Sequence, residues 1–139
     1  MHTVSERPSA LVMVADDDSG FRAEVCGFLV DTGFQVTEAA DGSEAVAIAG
    51  ELDPDVVIMD LRMPRMDGIE ATRRIKQVAP SVQVVMLTAY DDPTLKQEAA
   101  EAGAYCYLIK GSPPQMVLDV VRFAWGYKLG LEGDPVIPG

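Results

Sequence analysis

Five residues in this chain end apolar runs with groups that can do chemistry. Asp16 and Asp17 follow Ala10-Leu11-Val12-Met13-Val14-Ala15, and Asp60 follows Val56-Val57-Ile58-Met59. Thr88 follows Val82-Gln83-Val84-Val85-Met86-Leu87, and Lys110 follows Tyr105-Cys106-Tyr107-Leu108-Ile109. Short apolar runs bounded by turn signals read as buried strands of a parallel sheet. In open α/β sheets, ligands bind at the carboxyl edge of the strands, which is where these groups stand. Several carboxylates within about 6 Å repel, and one of them holds a proton unless a cation neutralises them. An all-oxygen donor set of high negative charge suits Mg²⁺, or Mn²⁺, with water in the remaining positions. A lysine across the site suits a phosphoryl oxygen or a carboxylate. A threonine hydroxyl can donate to another oxygen. Asp60 among them fits a nucleophile that accepts a phosphoryl group. The metal and Lys110 would stabilise the charge of an in-line transfer.

The chain between these runs must bring their ends together, and most of it reads as helix. Phe21, Val25, Phe28 and Leu29 form one apolar stripe at i, i+4, i+7 and i+8. An acid or Ser19 caps the start of that helix, and Thr32-Gly33 ends it. Phe34-Gln35-Val36-Thr37-Glu38 alternates, as a strand with one partly exposed face does. Asp41-Gly42 opens a helix through Ala45, Val46, Ile48 and Ala49, with Gly50 expected to stop it. Asp53-Pro54-Asp55 turns into the run that ends at Asp60. Asp67-Gly68 opens a helix with Ile69, Thr72 and Ile75 on one face, Glu70 pairing with Arg73 and Arg74 outside, and Pro80 closing the segment. Asp92-Pro93 is a cap followed by proline at the first helical position, and Gly103 ends the helix from Thr94 to Ala102. Gly111-Ser112-Pro113-Pro114 opens a last helix with Met116, Val117, Val120, Val121 and Ala124 inside, and Trp125 and Tyr127 near its end.

Strand–helix alternation with no internal repeat implies α/β architecture, a parallel sheet with helices on both faces. Right-handed crossovers place all strand carboxyl ends on one edge. Five strands suggest the flavodoxin-like, doubly wound order 2-1-3-4-5. In that order strands 1, 3, 4 and 5 are neighbours, so Asp16, Asp17, Asp60, Thr88 and Lys110 converge on one pocket. Taken alone, Asp16-Asp17-Asp18 reads equally well as only a helix cap with favourable charge.

At 139 residues the chain is expected to form one domain over residues 10–129, between a flexible leader over 1–9 and a tail or linker over 130–139. The 22 acidic and 11 basic residues leave a formal charge of -11. That argues against nucleic-acid binding by this chain or attraction to an anionic membrane surface. No apolar run approaches the about 20 residues of a membrane helix, and the N-terminus lacks the apolar core of a signal peptide. Cys26 and Cys106 have no metal-ligand spacing and read as reduced core thiols of a cytoplasmic protein. His2 is the only histidine and lies in the polar leader, which disfavours a histidine metal site or a Ser-His-Asp triad.

These residues resemble the receiver domain of two-component response regulators, over Val12 to about Trp125. The resemblance is carried by Val14-Ala15-Asp16-Asp17-Asp18 with Phe21-Arg22, and by Ile58-Met59-Asp60-Leu61-Arg62-Met63-Pro64 with Met66-Asp67-Gly68. Leu87-Thr88-Ala89 and Gly103-Ala104 through Tyr107-Leu108-Ile109-Lys110 complete it. Where many members of the family carry a proline with a cis bond after the lysine, Gly111 stands here. That is similar to receivers joined to a helix-turn-helix output domain. Gly133-Asp134-Pro135-Val136-Ile137-Pro138 resembles the linker of such regulators, while a stand-alone regulator stays open.

The resemblance implies roles. Asp60 is the expected phospho-acceptor. Asp17, Asp60 and the backbone carbonyl of Arg62 are expected to bind Mg²⁺ directly, with Asp16 acting mainly through water. Lys110 is expected to contact the phosphoryl group and to pair with Asp60 without it. Thr88 moves to the phosphoryl group and Tyr107 changes rotamer with it, a switch biased by local charge. Arg62 and Tyr90 line the approach. The implied donor is a phosphohistidine of a sensor histidine kinase. The implied output is a changed surface around the fourth helix, fifth strand and fifth helix, with a homodimer through that face or through the first and fifth helices. Such a domain is a signalling module, not an enzyme, although it supports its own phosphorylation and dephosphorylation. Three rivals remain: a phosphate-independent receiver that signals by binding alone, a flavodoxin-type FMN protein and a dehalogenase-like phosphatase. The FMN protein expects a Ser/Thr/Gly-rich loop where three acids stand. The phosphatase expects an acid where Arg62 stands.

Overall fold

The structure is a computed structural model and describes residues 9–130, so the leader and tail expected from sequence lie, but for Ser9 and Gly130, outside the described residues. Among the described residues, five strands alternate with five helices. They are β1 (Leu11–Ala15), α1 (Ser19–Asp31), β2 (Gln35–Ala39), α2 (Gly42–Leu52), β3 (Val56–Met59), α3 (Gly68–Val78), β4 (Gln83–Thr88), α4 (Pro93–Ala102), β5 (Cys106–Ile109) and α5 (Pro114–Lys128). All pairings are parallel, in the order β2-β1-β3-β4-β5. This is the doubly wound sheet expected from the alternation of runs.

Strand alternation divides the interior into two cores. Val12, Val14, Val56, Ile58, Val85, Leu87 and Leu108 face one side, where they pack with Val25 and Leu29 of α1 and Val117, Val120 and Val121 of α5. Met13, Ala15, Val57, Met59, Val84 and Met86 face the other, with Ala45 and Ala49 of α2, Ile69 and Ile75 of α3 and Ala99 of α4. A strand buried on both faces must be apolar at every position, and β3 is buried throughout. No helix among the described residues is long and apolar enough to cross a membrane. Cys26 and Cys106 are buried free thiols, and burial raises both pKa values, that of Cys26 to about 11.

Local signals set most helix ends. Asp18, Asp41, Asp67 and Asp92 cap α1 to α4, each accepting backbone N–H groups of the first turn. Gly33 and Gly103 follow α1 and α4 with positive φ. The expected stop at Gly50 is not where α2 ends. The helix continues to Leu52, and Asp53 takes the left-handed conformation (φ 47°) before Pro54. Gly50 is tolerated inside because nothing local interrupts the hydrogen-bond ladder there, whereas Pro54 cannot donate to it. At the far end, Lys128 Nζ of α5 lies 2.9 Å from Asp55 Oδ1, and Asp55 Oδ2 accepts the Leu11 N–H at 2.8 Å. The last turn of α5 is thereby tied to the starts of β1 and β3.

Gly68 opens α3 where the chain returns against the end of β3. A β-carbon there would stand 2.0 Å from the Asp60 carbonyl oxygen. Backbone cannot yield as a side chain can, so Gly68→Ala must push α3 away from Asp60. We expect a loss of about 3 kcal/mol in urea unfolding. A loss below about 0.5 kcal/mol would show that the close approach is unimportant.

Candidate functional site

The sheet register places the acids. The Asp16 N–H donates to the Ala39 carbonyl at 3.0 Å and the Asp60 N–H to the Ala15 carbonyl at 2.9 Å, so both residues extend the ladder by one step. One carboxylate oxygen from each of Asp16, Asp17 and Asp60 lies within 4.8 Å of the others. Asp16 and Asp60 are buried at 2% and 7% exposure, while Asp17 is exposed. Asp17 shares an open cleft with Arg62, Met63, Pro64 and Asp67, so the β3–α3 loop forms the opposite wall.

The three consecutive acids have three separate tasks. Asp18 caps α1 through Gly20 and Phe21. Asp16 accepts the Asp18 N–H on Oδ1 at 2.8 Å and turns Oδ2 toward Lys110. Asp17 alone points its charge at the cleft. The cap reading of this run therefore applies to Asp18 and not to its two neighbours.

Lys110 Nζ stands 2.9 Å from Asp16 Oδ2 and 3.6 Å from Asp60 Oδ1. The Phe21 ring centroid is 4.3 Å from the same nitrogen. The expected Lys110–Asp60 pair is present, but the shorter contact goes to Asp16, whose carboxylate is already oriented by the Asp18 amide. Burial works against the Lys110 charge, yet the two carboxylates outweigh it and its pKa is raised. Asp60 is pushed up to about 6, by burial first and then by the charge of Asp16, with Lys110 and the Leu61 N–H acting in the opposite sense. The site holds more negative charge than one ammonium neutralises.

Thr88 and Tyr107 form a second group on the other side of the sheet edge. Thr88 is fully buried, and its Oγ1 accepts the Tyr90 N–H at 3.3 Å. The Tyr107 hydroxyl donates to the Tyr90 carbonyl at 2.5 Å. The Arg62 guanidinium lies 5.0 Å over the Tyr90 ring. Tyr90 thus joins Thr88, Tyr107 and the β3–α3 loop in one chain of contacts. The sequence marked Arg62 and Tyr90 only as residues along the approach, because spacing along a strand says nothing of contacts between loops. After Lys110, Gly111 takes φ 101° on a trans peptide bond. On the outer face of α3, Glu70 pairs with Arg73 and Arg74 as the helical spacing predicts.

The donor set fits a hard divalent cation. Three carboxylates converge, all donors are oxygen, and an uncompensated charge is present. Linkage gives this a measurable form. The folded chain holds the Asp60 proton up to about pH 6, whereas the unfolded chain releases it near pH 4. Stability from this group is therefore full below about pH 4, falls as pH rises to 6, and is lost above that. Without metal at pH 7.5, Asp60→Asn should raise stability by about 3 kcal/mol. The gain should vanish at pH 4. A gain independent of pH, or a loss at pH 7.5, contradicts the crowded-acid account.

Comparison with known proteins agrees with this geometry. Residues 12–122 match the family model described as "Response regulator receiver domain". The transcriptional regulatory protein PdtaR of Mycobacterium tuberculosis is 42% identical over 102 residues, covering 71% of this chain and 48% of that protein. The transcriptional regulatory protein LiaR of Bacillus subtilis is 40% identical over 115 residues, covering 81% and 54%. The chain thus spans about half the length of the curated relatives it matches. The crystal structure of a LuxR-family two-component response regulator from Aurantimonas superposes with a TM-score of 0.80 at 32% identity, covering 91% of each chain. With its acid cluster, its strand-end lysine and its strand order, the chain belongs to the response regulator receiver domain family of two-component signalling.

Proposed function

We propose that this chain is a cytoplasmic, phospho-accepting receiver that takes a phosphoryl group from a sensor histidine kinase onto Asp60. The observation that carries the reading is the Asp16, Asp17 and Asp60 cluster with Lys110 bridging two of the three acids. Asp17, Asp60 and the Arg62 carbonyl would hold Mg²⁺, with Asp16 acting mainly through water. When bound, the cation supplies charge neutralisation for the transferring phosphoryl oxygens.

In the transfer, an Asp60 carboxylate oxygen forms a bond to phosphorus and the phosphorus–nitrogen bond of a phosphohistidine breaks. The electron pair returns to the imidazole, leaving an acyl phosphate on Asp60. Lys110, held at the edge by Asp16, can turn its ammonium to a phosphoryl oxygen with little movement. The Thr88 hydroxyl currently accepts from the Tyr90 amide, and a phosphoryl oxygen would draw it away. Releasing Tyr90 loosens the partner of the Tyr107 hydroxyl, so the surface of α4, β5 and α5 would respond to a change at Asp60. Homodimerisation through that face, or through α1 and α5, is the output we favour. The names of the relatives suggest transcription regulation as the final effect, exerted by partner or domain and not by acidic residues here binding nucleic acid.

Incubation with acetyl phosphate and Mg²⁺ followed by intact mass measurement tests the reading. Wild type should gain one phosphoryl group and Asp60→Ala none. Chelating the divalent cation should abolish the gain. No gain on wild type, or an equal gain on Asp60→Ala, would sink the proposal and leave a module that signals by binding alone.

A further inference from the structure

We propose that Arg65 is a positioning residue, clamped on the Asp41 carboxylate, that holds the β3–α3 loop so that the Arg62 carbonyl meets the cation. The inference rests on the reading of the metal site above. Arg65 has φ 68°, in the left-handed region that is unfavourable for a residue with a β-carbon. Such a conformation persists only where the surroundings over-determine it. Here the side chain does so: Arg65 Nε and Nη2 both donate to Asp41 Oδ2, at 3.0 and 2.7 Å. Asp41 is a firm anchor. It is 7% exposed, and its Oδ1 accepts the Glu44 N–H at 2.8 Å, capping α2. Arg65 holds its carboxyl below the usual range, after the larger effect of the Glu44 amide.

The loop is closed at its base and held at its tip. The Gly68 N–H donates to the Leu61 carbonyl at 2.8 Å, and the Met66 N–H to the Pro64 carbonyl at 2.7 Å. Arg62 lies inside that ring, one residue past Leu61. A β-carbon on Gly42 would come within 2.2 Å of the Met66 carbonyl oxygen, so the start of α2 presses directly on the loop. Pro64, next to Arg65, lines the cleft beside Asp17. The Arg65 side chain itself is 68% exposed, so its removal opens no cavity. Its two charge-assisted hydrogen bonds tie the tip to α2 beside the close approach at Gly42.

Titration calorimetry of Mg²⁺ into the intact chain tests this, with Arg65→Ala, Arg65→Gly, Asp41→Asn and the Arg65→Ala/Asp41→Asn double variant. Asparagine still caps a helix, so Asp41→Asn removes the ion pair and keeps α2. Each single variant should weaken Mg²⁺ about fivefold, and the double variant no more than either single one, since both break one link. In acetyl phosphate labelling, half-saturating Mg²⁺ should rise by the same factor while the plateau rate changes less than twofold. Wild-type affinity in Arg65→Ala overturns the proposal. So does wild-type affinity in Arg65→Gly, because the backbone conformation alone would then suffice, and so do losses that add in the double variant. A wild-type chain that takes up no Mg²⁺ overturns the metal reading, and the clamp with it.

Discussion

Mutual repulsion among Asp16, Asp17 and Asp60 is the constraint around which the structure is built. The three carboxylates have oxygens within 4.8 Å of one another, and two of them are buried. No arrangement of flexible chain would hold them there. The sheet does so because the Asp16 and Asp60 amides continue hydrogen-bond ladders whose strands are buried on both faces. Apolar burial on either side of the sheet offsets the cost concentrated at its edge. Lys110 relieves part of the repulsion and Asp60 keeps a raised pKa, so the site retains an appetite for positive charge. Local inconsistency of this kind, tolerated by a consistent scaffold, is what a functional site looks like in physical terms.

Strand alternation sorts the site into two parts. Asp16, Asp60 and Lys110 continue the alternation of the residues that face α1 and α5, and the Lys110 ammonium rests over the Phe21 ring of α1. Thr88 and Tyr107 continue the other set, and Tyr107 packs with the α2–α4 core. The two parts are not in direct contact through their charged groups. The Lys110 N–H donates to the Thr88 carbonyl at 2.8 Å, and the Tyr90 amide, carbonyl and ring meet Thr88, Tyr107 and Arg62 in turn.

The loops also differ in how they are held. The β3–α3 loop is fixed by backbone closeness at Gly42 and Gly68 and by the Arg65–Asp41 pair. The β4–α4 loop is held by two hydrogen bonds and a ring contact around Tyr90, which is 44% exposed, and by the Asp92 cap and the Asp91–Lys96 pair at the start of α4. The β3–α3 loop is thus held by close backbone packing and an ion pair, and the residues around Tyr90 by hydrogen bonds and a ring contact.

The amino-acid sequence by itself determined the elements and the residues of the acid cluster. Apolar runs of strand length, aspartates before each of the first four helices, and polar residues at the ends of the first, third, fourth and fifth strands were enough for the fold class, the strand order and the meeting of Asp16, Asp17, Asp60 and Lys110, whereas Thr88 stands apart with Tyr90 and Tyr107. Those features are legible because they are periodic or local. Asp53 ending α2 in place of Gly50 was not, since several residues compete for a helix stop and the following proline decides. The preference of Lys110 for Asp16, the clamp from Arg65 to Asp41 and the bridge through Tyr90 were decided only in three dimensions. Each joins residues from different loops or strand ends, and their distance depends on how the helices pack. No spacing along the chain encodes that distance.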